Sequence, residues 1–392
     1  MGDGDRVKPW ILPAVVVGQL LATSTWFAVN AVIGSLQALW GMDGGEGMVT
    51  TAVQIGFIAG TLVFAVGGIA DRFHASNVFL FSAATGAAAN AAVLIFPSHF
   101  ALVLAARFVV GFSLAGVYPV GMKIAAGWYG GGLGWALGLI VGALVLGTAS
   151  PHLLSAVGAS WDWRVVIAGT SLAALAGGIL VRLVPEGPNL ARGAPVRFSG
   201  VLAAFREHCF RASTIGYFGH MWELYAFWAF VPVWLGAHGM TGGTLSVSAF
   251  MVIAVGFLGC AGGGLLVRRL GGGRVALGQL GISLGCCLVS PLLLHTPTPV
   301  FLAFLLVWGI AVVGDSPQFS ALTAYFAPRA LVGSALTLVN SIGFAITVAS
   351  LSLLEWLQGV VDPAWLLFPL ALGPLIGLLA GRPLLGRHPV PA

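Results

Sequence analysis

Pro185-Glu186-Gly187-Pro188-Asn189-Leu190-Ala191-Arg192-Gly193-Ala194-Pro195-Val196-Arg197 opens the longest polar interval of the chain, which runs on through Arg206 and Glu207 to residue 210. Its prolines and charges rule out a membrane-crossing helix here. The interval splits the 392 residues into 184 before it and 182 after it. On both sides the chain is too apolar for a water-soluble fold, with 7% charged residues and a mean hydropathy of +1.00. A helix needs about 20 mostly apolar residues to cross a hydrocarbon core roughly 30 Å thick. Six such stretches precede the interval, at 11–38, 48–70, 76–96, 99–127, 132–156 and 163–184. Six follow it, at 211–237, 243–267, 275–295, 298–326, 330–354 and 363–381. The expected fold is an all-α polytopic membrane protein with 12 transmembrane helices, six in 1–184 and six in 211–392, joined by a cytosolic linker at 185–210. The first stretch is too long for a signal h-region and lacks a cleavage site, so it reads as a mature helix.

Orientation follows from Lys and Arg, which stay cytosolic in short loops. With both termini inside, the inward ends hold Arg6, Lys8, Arg72, Lys123, Arg182, Arg192, Arg197, Arg206, Arg211, Arg268, Arg269, Arg274, Arg329, Arg382 and Arg387, fifteen of the 17 basic residues. The outward loops carry Asp43, Glu46, Asp162 and Asp362, with Glu355 near the outer end of the eleventh span. The net charge of +5 is therefore spread as a topology signal, and no basic patch for nucleic acid exists. The four cysteines make no disulfide framework and read as small buried hydrophobes.

The turn after the second span reads Gly67-Gly68-Ile69-Ala70-Asp71-Arg72-Phe73, and its counterpart in the second half is Gly263-Gly264-Leu265-Leu266-Val267-Arg268-Arg269. Arg107 and Gly111 stand four apart on the fourth span, and Trp161-Asp162-Trp163-Arg164 opens the sixth. These elements resemble those of the major facilitator superfamily. Departures are His74, Ala75 and Ser76, where a Gly and two basic residues are usual, and Val267 in place of an acid. The fifth span, from Gly138 to Pro151, matches the Gly-Pro element of exporters only loosely. The resemblance implies two pseudo-symmetric bundles rocking about a midplane site in a bacterial cytoplasmic membrane. It also implies a cavity lined by the first, fourth, seventh and tenth helices. Gly67, Asp71 and Arg72 would gate conformational change, with Asp71 meeting the inner N-terminus of the eleventh helix and Arg329 as an extra partner. The segments Ser24–Asn30 and Gly219–Tyr225 resemble bacterial carriers of nitrate, nitrite and cyanate.

Polar residues at membrane depth concentrate on these same helices. Gln19, Thr23, Trp26, Asn30 and Gln37 form one stripe on the first span. Arg107 and Tyr118 mark the fourth, Tyr217, His220 and Glu223 the seventh, Asp315 and Gln318 the tenth. Amides in a bundle serve either as interhelical glue or as ligand contacts, and the aromatics either pack or bind. An ionisable group in hydrocarbon costs roughly 2.5–3.5 kcal/mol or more, so charges at that depth point to function. Glu223 is expected to exchange a proton, with His220 one turn earlier sharing it; the alternative is a structural pair. Asp315, two residues before Pro317, has either a helix-breaking or a coupling role. Two ligands at His220 and Glu223 are too few for a metal, and no cofactor is expected.

The function expected is a proton-coupled secondary transporter of a small solute, neither an enzyme nor a nucleic-acid binder. Arg107, facing acids in the other half, suggests uptake of a small anion, with Gln19, Thr23, Trp26, Asn30, Tyr118 and Tyr217 as further binding residues. Proton-driven efflux of an amphipathic compound is the alternative, ahead of a receptor or assembly factor on the same scaffold. Its partners are the solute, protons and the bilayer, and a monomer is the expected state.

Overall fold

The computed structural model describes residues 9–42, 44–129, 133–157, 162–188, 201, 204–328 and 331–386. Arg6, Lys8, Asp43, Trp161, Arg192, Arg197, Arg329 and Arg387, and most of the polar interval, lie outside them. The described residues are helical with no strand. Among the described residues, nine helical segments are long and apolar enough to cross a membrane. Three more complete the expected twelve: the interrupted first segment 11–40, the third (Ala75–Ala92) and the seventh (His208–Ala237). The polar groups of the seventh, Glu223 and His220 among them, lower its hydropathy although it is 30 residues long. Large apolar side chains point outward along the segments, as at Phe81, Ile95, Leu172, Ile282 and Leu292. Such a belt would be a liability in water and is the expected face toward lipid.

Lipid offers helices no hydrophobic reason to associate, so packing depends on backbones approaching closely over small residues. The glycines show where this happens. A Cβ on Gly111 of the fourth segment would collide with the Val53 carbonyl of the second, and one on Gly56 with the Phe108 carbonyl. The second half repeats the contact, with Gly309 of the tenth segment against the Val252 carbonyl of the eighth and Gly259 against that of Ile310. Gly18 and Gly177 meet where the first and sixth segments cross; Gly219 and Gly373 meet where the seventh and twelfth do. Matching glycines in matching crossings display the duplication in the packing itself.

Four segments are broken near mid-membrane. The fourth divides into Phe100–Leu114 and Tyr118–Trp128, and the tenth into Thr298–Gly314 and Ser316–Phe326. Each second piece carries proline in its first turn, Pro119 and Pro317, where the missing N–H ends the preceding helix without loss. The eighth breaks more gently at Val255. The first, expected as one helix over 11–38, instead ends at Thr23, passes through a turn and resumes at Asn30. Thr23, Ser24 and Thr25 turn their hydroxyls back onto the carbonyls of Gln19, Leu21 and Ala22, which offers the backbone an alternative to the helical ladder. At its first turn, Asp162 caps the sixth segment by accepting the backbone N–H of Arg164 at 2.9 Å and its guanidinium at 2.7 Å. The backbone bond first, and then that side chain, hold its carboxyl below the usual carboxylate range.

Candidate functional site

Two cavities lie between the halves, on opposite sides of an aromatic layer. The inner one, of about 180 Å³, is bounded by Tyr118 and Met122 of the fourth segment, Tyr217, Met221 and Tyr225 of the seventh, Ser316, Pro317 and Ser320 of the tenth, and Asn340 and Phe344 of the eleventh. Among the described residues that line it, none carries a charge. The outer one, of about 530 Å³, is more polar, with Asn30, Gln37, Glu46, His152 and Ser246 in its wall. Between the two, Trp26 of the first half stacks on Tyr225 and Phe344 of the second, and Phe57 packs tilted against Phe344. Ring centroids are 5.4 Å apart for Trp26 and Tyr225 and 4.3 Å for Phe57 and Phe344. Phe27 abuts Trp228 edge-on at 6.4 Å. Such contacts contribute about 0.5–1.5 kcal/mol each beyond area burial, enough to close a path yet few enough to part.

The broken helices bring the ionisable groups behind the wall of the inner cavity. Asp315 sits at the break of the tenth segment, adjacent to the lining Ser316, and its Oδ1 lies 2.8 Å from Nδ1 of His220. Both side chains are buried. The His220 ring lies 5.9 Å from that of the cavity-lining Tyr217. One wall residue, Ser316 next to Asp315, separates this pair from the inner cavity.

The expected pairing of His220 with Glu223 is corrected. Glu223 turns away into its own half, where its Oε1 accepts hydrogen bonds from Ser283 Oγ at 2.5 Å, Trp308 Nε1 at 2.5 Å and Cys287 Sγ at 3.4 Å. Spacing three on a helix places two residues on one face but leaves their side-chain directions to the neighbours, which here are different helices. Ser283, Trp308 and Cys287 carried no sequence signal, and Cys287 is more than the small hydrophobe expected. Among the described residues no three His, Cys, Asp or Glu side chains gather to hold a metal ion.

Arg107 is also corrected from its expected role toward an anion. It is fully buried and lines neither cavity. Nη1 donates to the Thr25 carbonyl at 2.9 Å and to Asn90 Oδ1 at 3.2 Å, and Nη2 donates to the Trp26 carbonyl. The break in the first segment frees those carbonyls from helical partners, and the guanidinium fork satisfies them. Asn90 in turn donates to Thr170 Oγ1 and Ser171 Oγ, both at 3.0 Å, tying the third segment to the sixth.

Of the remaining residues expected to bind solute, Tyr118 and Tyr217 line the inner cavity and Asn30 the outer one. Gln19 and Thr23 line neither, and Trp26 lies in the aromatic layer. Thr23 donates to the Gln19 carbonyl at 2.8 Å, while the Gln19 amide is packed against Gly121. Met221, Tyr225 and Ser316 are lining residues that the sequence reading did not select, because nothing marks an aromatic or a serine as facing a cavity until the helices are placed. Arg329, the extra partner expected for Asp71 at the start of the eleventh segment, lies outside the described residues. Asp71 pairs with Lys123 of its own half, which also donates to the Ala70 carbonyl at 2.6 Å. Gly68, with φ of 59°, makes the turn there, while Gly67 ends the helix before it, and Arg72 lies exposed in the same turn.

Two bundles with matched glycine crossings, broken fourth and tenth helices and a cavity on the axis between them are the framework of one transporter family. A model of that family, described as the Major Facilitator Superfamily, matches residues 15–351. The chain belongs to the Major Facilitator Superfamily. Members are membrane transporters, not enzymes. In fold the protein is similar to the proton:xylose symporter XylE bound to 6-bromo-6-deoxy-D-glucose, with a TM-score of 0.74 at 15% identity over 97% of this chain and 95% of that one. It is similarly close to a partially occluded inward-open conformation of the xylose transporter XylE from E. coli, with a TM-score of 0.72, 14% identity and 97% of each chain covered. In sequence it is 31% identical over 151 residues to the niacin transporter NiaP of Acinetobacter baylyi, covering 34% of this chain and 31% of that relative. The chain thus spans under a third of the length of the curated relative it matches.

Proposed function

We propose that this superfamily transporter moves a small, largely apolar organic solute through the inner cavity by alternating access, coupled to protons at the His220–Asp315 pair. The carrying observation is the cavity itself: tyrosines, methionines, phenylalanine, serines and an asparagine, no charge among the described residues that line it, and the buried His220–Asp315 pair one residue behind the wall. Aromatic faces and phenol hydroxyls suit a planar or amphipathic molecule with one or two acceptor groups. The anion reading loses its support once Arg107 is occupied by backbone carbonyls, so the amphipathic-solute reading takes precedence. Coupling at the pair is direct: solute in the cavity displaces Tyr217 or the turn at Ser316, and the distance between His220 and Asp315 changes with it. The distribution of Lys and Arg supports a reading with both termini on the cytosolic side of a bacterial inner membrane.

The test is transport in proteoliposomes with and without a pH gradient, using a panel of small aromatic and amphipathic solutes. Nicotinate and xylose belong in it, since a relative and a structural neighbour are named for niacin and xylose. Asp315→Asn should abolish the response to the gradient while solute exchange persists. Glu223→Gln keeps an oxygen to accept from Ser283 and Trp308, and should retain proton-driven transport within about twofold. The reverse result, with Glu223→Gln uncoupled and Asp315→Asn unaffected, would transfer the coupling role to Glu223.

A further inference from the structure

One carboxylate reaches from the second half into the first, far from the inner cavity. Glu355, on the last turn of the eleventh segment (Val332–Leu357), accepts the Gly45 N–H on Oε1 at 2.5 Å and the Gly47 N–H on Oε2 at 2.6 Å. Those donors belong to the start of the second segment (Glu46–Gly67), where the first N–H groups of a helix have no intrahelical partner. Gly45 stands at the N-cap position without a side chain to satisfy them. The cap is therefore supplied by the other half of the molecule, with the negative charge at the positive end of the helix dipole.

The surroundings are shaped around this contact. Gly44 and Gly45 adopt φ of 86° and 95°, a left-handed turn that points successive N–H groups toward the carboxylate. A Cβ on Gly47 would lie 2.5 Å from Glu355 Oε2 and 3.2 Å from the Leu351 carbonyl, so only glycine admits the approach. From its own half, Gln37 holds the same turn through Gly44 O and Glu46 Oε1, both at 2.8 Å. The turn is thus anchored firmly on one side and capped across the interface on the other, beside the outer cavity whose wall contains Gln37 and Glu46.

We propose that Glu355 is an outer latch, holding the outer ends of the two halves together through the backbone of Gly45 and Gly47 and releasing them each time the path opens outward. The inference rests on the alternating-access reading. Outward opening separates the second and eleventh segments at this end, which exchanges two charge-assisted hydrogen bonds for water on both partners. The strength of the latch then sets the share of time spent open to the outside.

The test needs no solute. Ala229 lines the outer cavity and is almost fully buried, Asn340 lines the inner one, and the four native cysteines are all buried, so the unaltered chain serves as the blank. A single cysteine at Ala229 or at Asn340 is labelled with an impermeant maleimide, from outside in oriented vesicles or from inside in inverted ones. Glu355→Gln, whose amide NH2 cannot accept the second N–H, should raise the rate at Ala229 about tenfold and lower that at Asn340. Gly47→Ala, which displaces the carboxylate by contact alone, should do the same and guards against a folding defect peculiar to one variant. An unchanged rate at Ala229 in both variants overturns the latch while leaving reciprocal access of the two cavities in unaltered Glu355 protein intact. Rates that rise together at both sites also overturn it, because they report loosened packing. Failure of alternating access itself has a separate sign: neither cysteine changes its rate when a transported solute from the proteoliposome panel is added to protein with Glu355 unaltered.

Discussion

Arg107 shows how a single residue type acquires opposite meanings from its neighbours. A guanidinium at membrane depth demands acceptors, and acceptors come either from a solute or from backbone that has left its helix. Here Thr25, Trp26 and Asn90 supply them, so the cation stabilises the broken first segment. Arg107→Ala would strand three buried acceptors, each worth about 1–3 kcal/mol when unpaired, and should lower stability by about 3 kcal/mol or more. Arg107→Lys keeps charge without the planar fork and should fall between. Thermal unfolding in detergent checks both. Loss of solute binding with unchanged unfolding temperature would return Arg107 to the solute path. Glu223 makes the complementary point: Ser283, Trp308 and Cys287 all donate to one oxygen of a buried acid, Oε1, within one half. His220 and Asp315 depend on a helix break to meet at all.

Among the elements, the paired breaks at Pro119 and Pro317 have the clearest mechanical meaning. A helix interrupted at mid-membrane exposes backbone only where a cavity or a polar side chain receives it, and both breaks border the inner cavity. Pro317 sits in the first turn of Ser316–Phe326, a position it fits without strain, so its removal costs little stability. Alanine there restores an N–H and lets Thr298–Gly314 run on through Asp315. Pro317→Ala should therefore change global stability by no more than about 1 kcal/mol while reducing transport and the response to a pH gradient. Unfolding and flux measured on the same preparation separate the two effects; undiminished flux would show that the break is dispensable.

At the level of the whole molecule, the two cavities are kept apart by aromatic contacts across the halves and are arranged along one axis, as a conduit with two mouths requires. The distribution of Lys and Arg predicts which mouth faces the cytosol, and labelling checks it. Single cysteines at His295 and Gln358, on the turns opposite the polar interval, should react with an impermeant reagent in intact cells. A cysteine at the exposed Glu186 should react only after the membrane is opened. Labelling at Glu186 in intact cells, with protection at His295 and Gln358, would invert the topology.

The fold was legible because membrane insertion is governed by composition over windows of about 20 residues, a property local to the chain. Twelve spans and the turn at Gly67–Phe73 are of this kind. Only part of the site was. Tyr118, Tyr217 and Asn30 could be placed toward the axis by helical periodicity, whereas Gln19 and Thr23 on the same stripe face protein. The partners of Glu223, His220, Asp71 and Arg107 depend on which helices cross at each depth and where each breaks. A helical repeat states a direction around one axis; the tertiary structure alone supplied what stood in that direction.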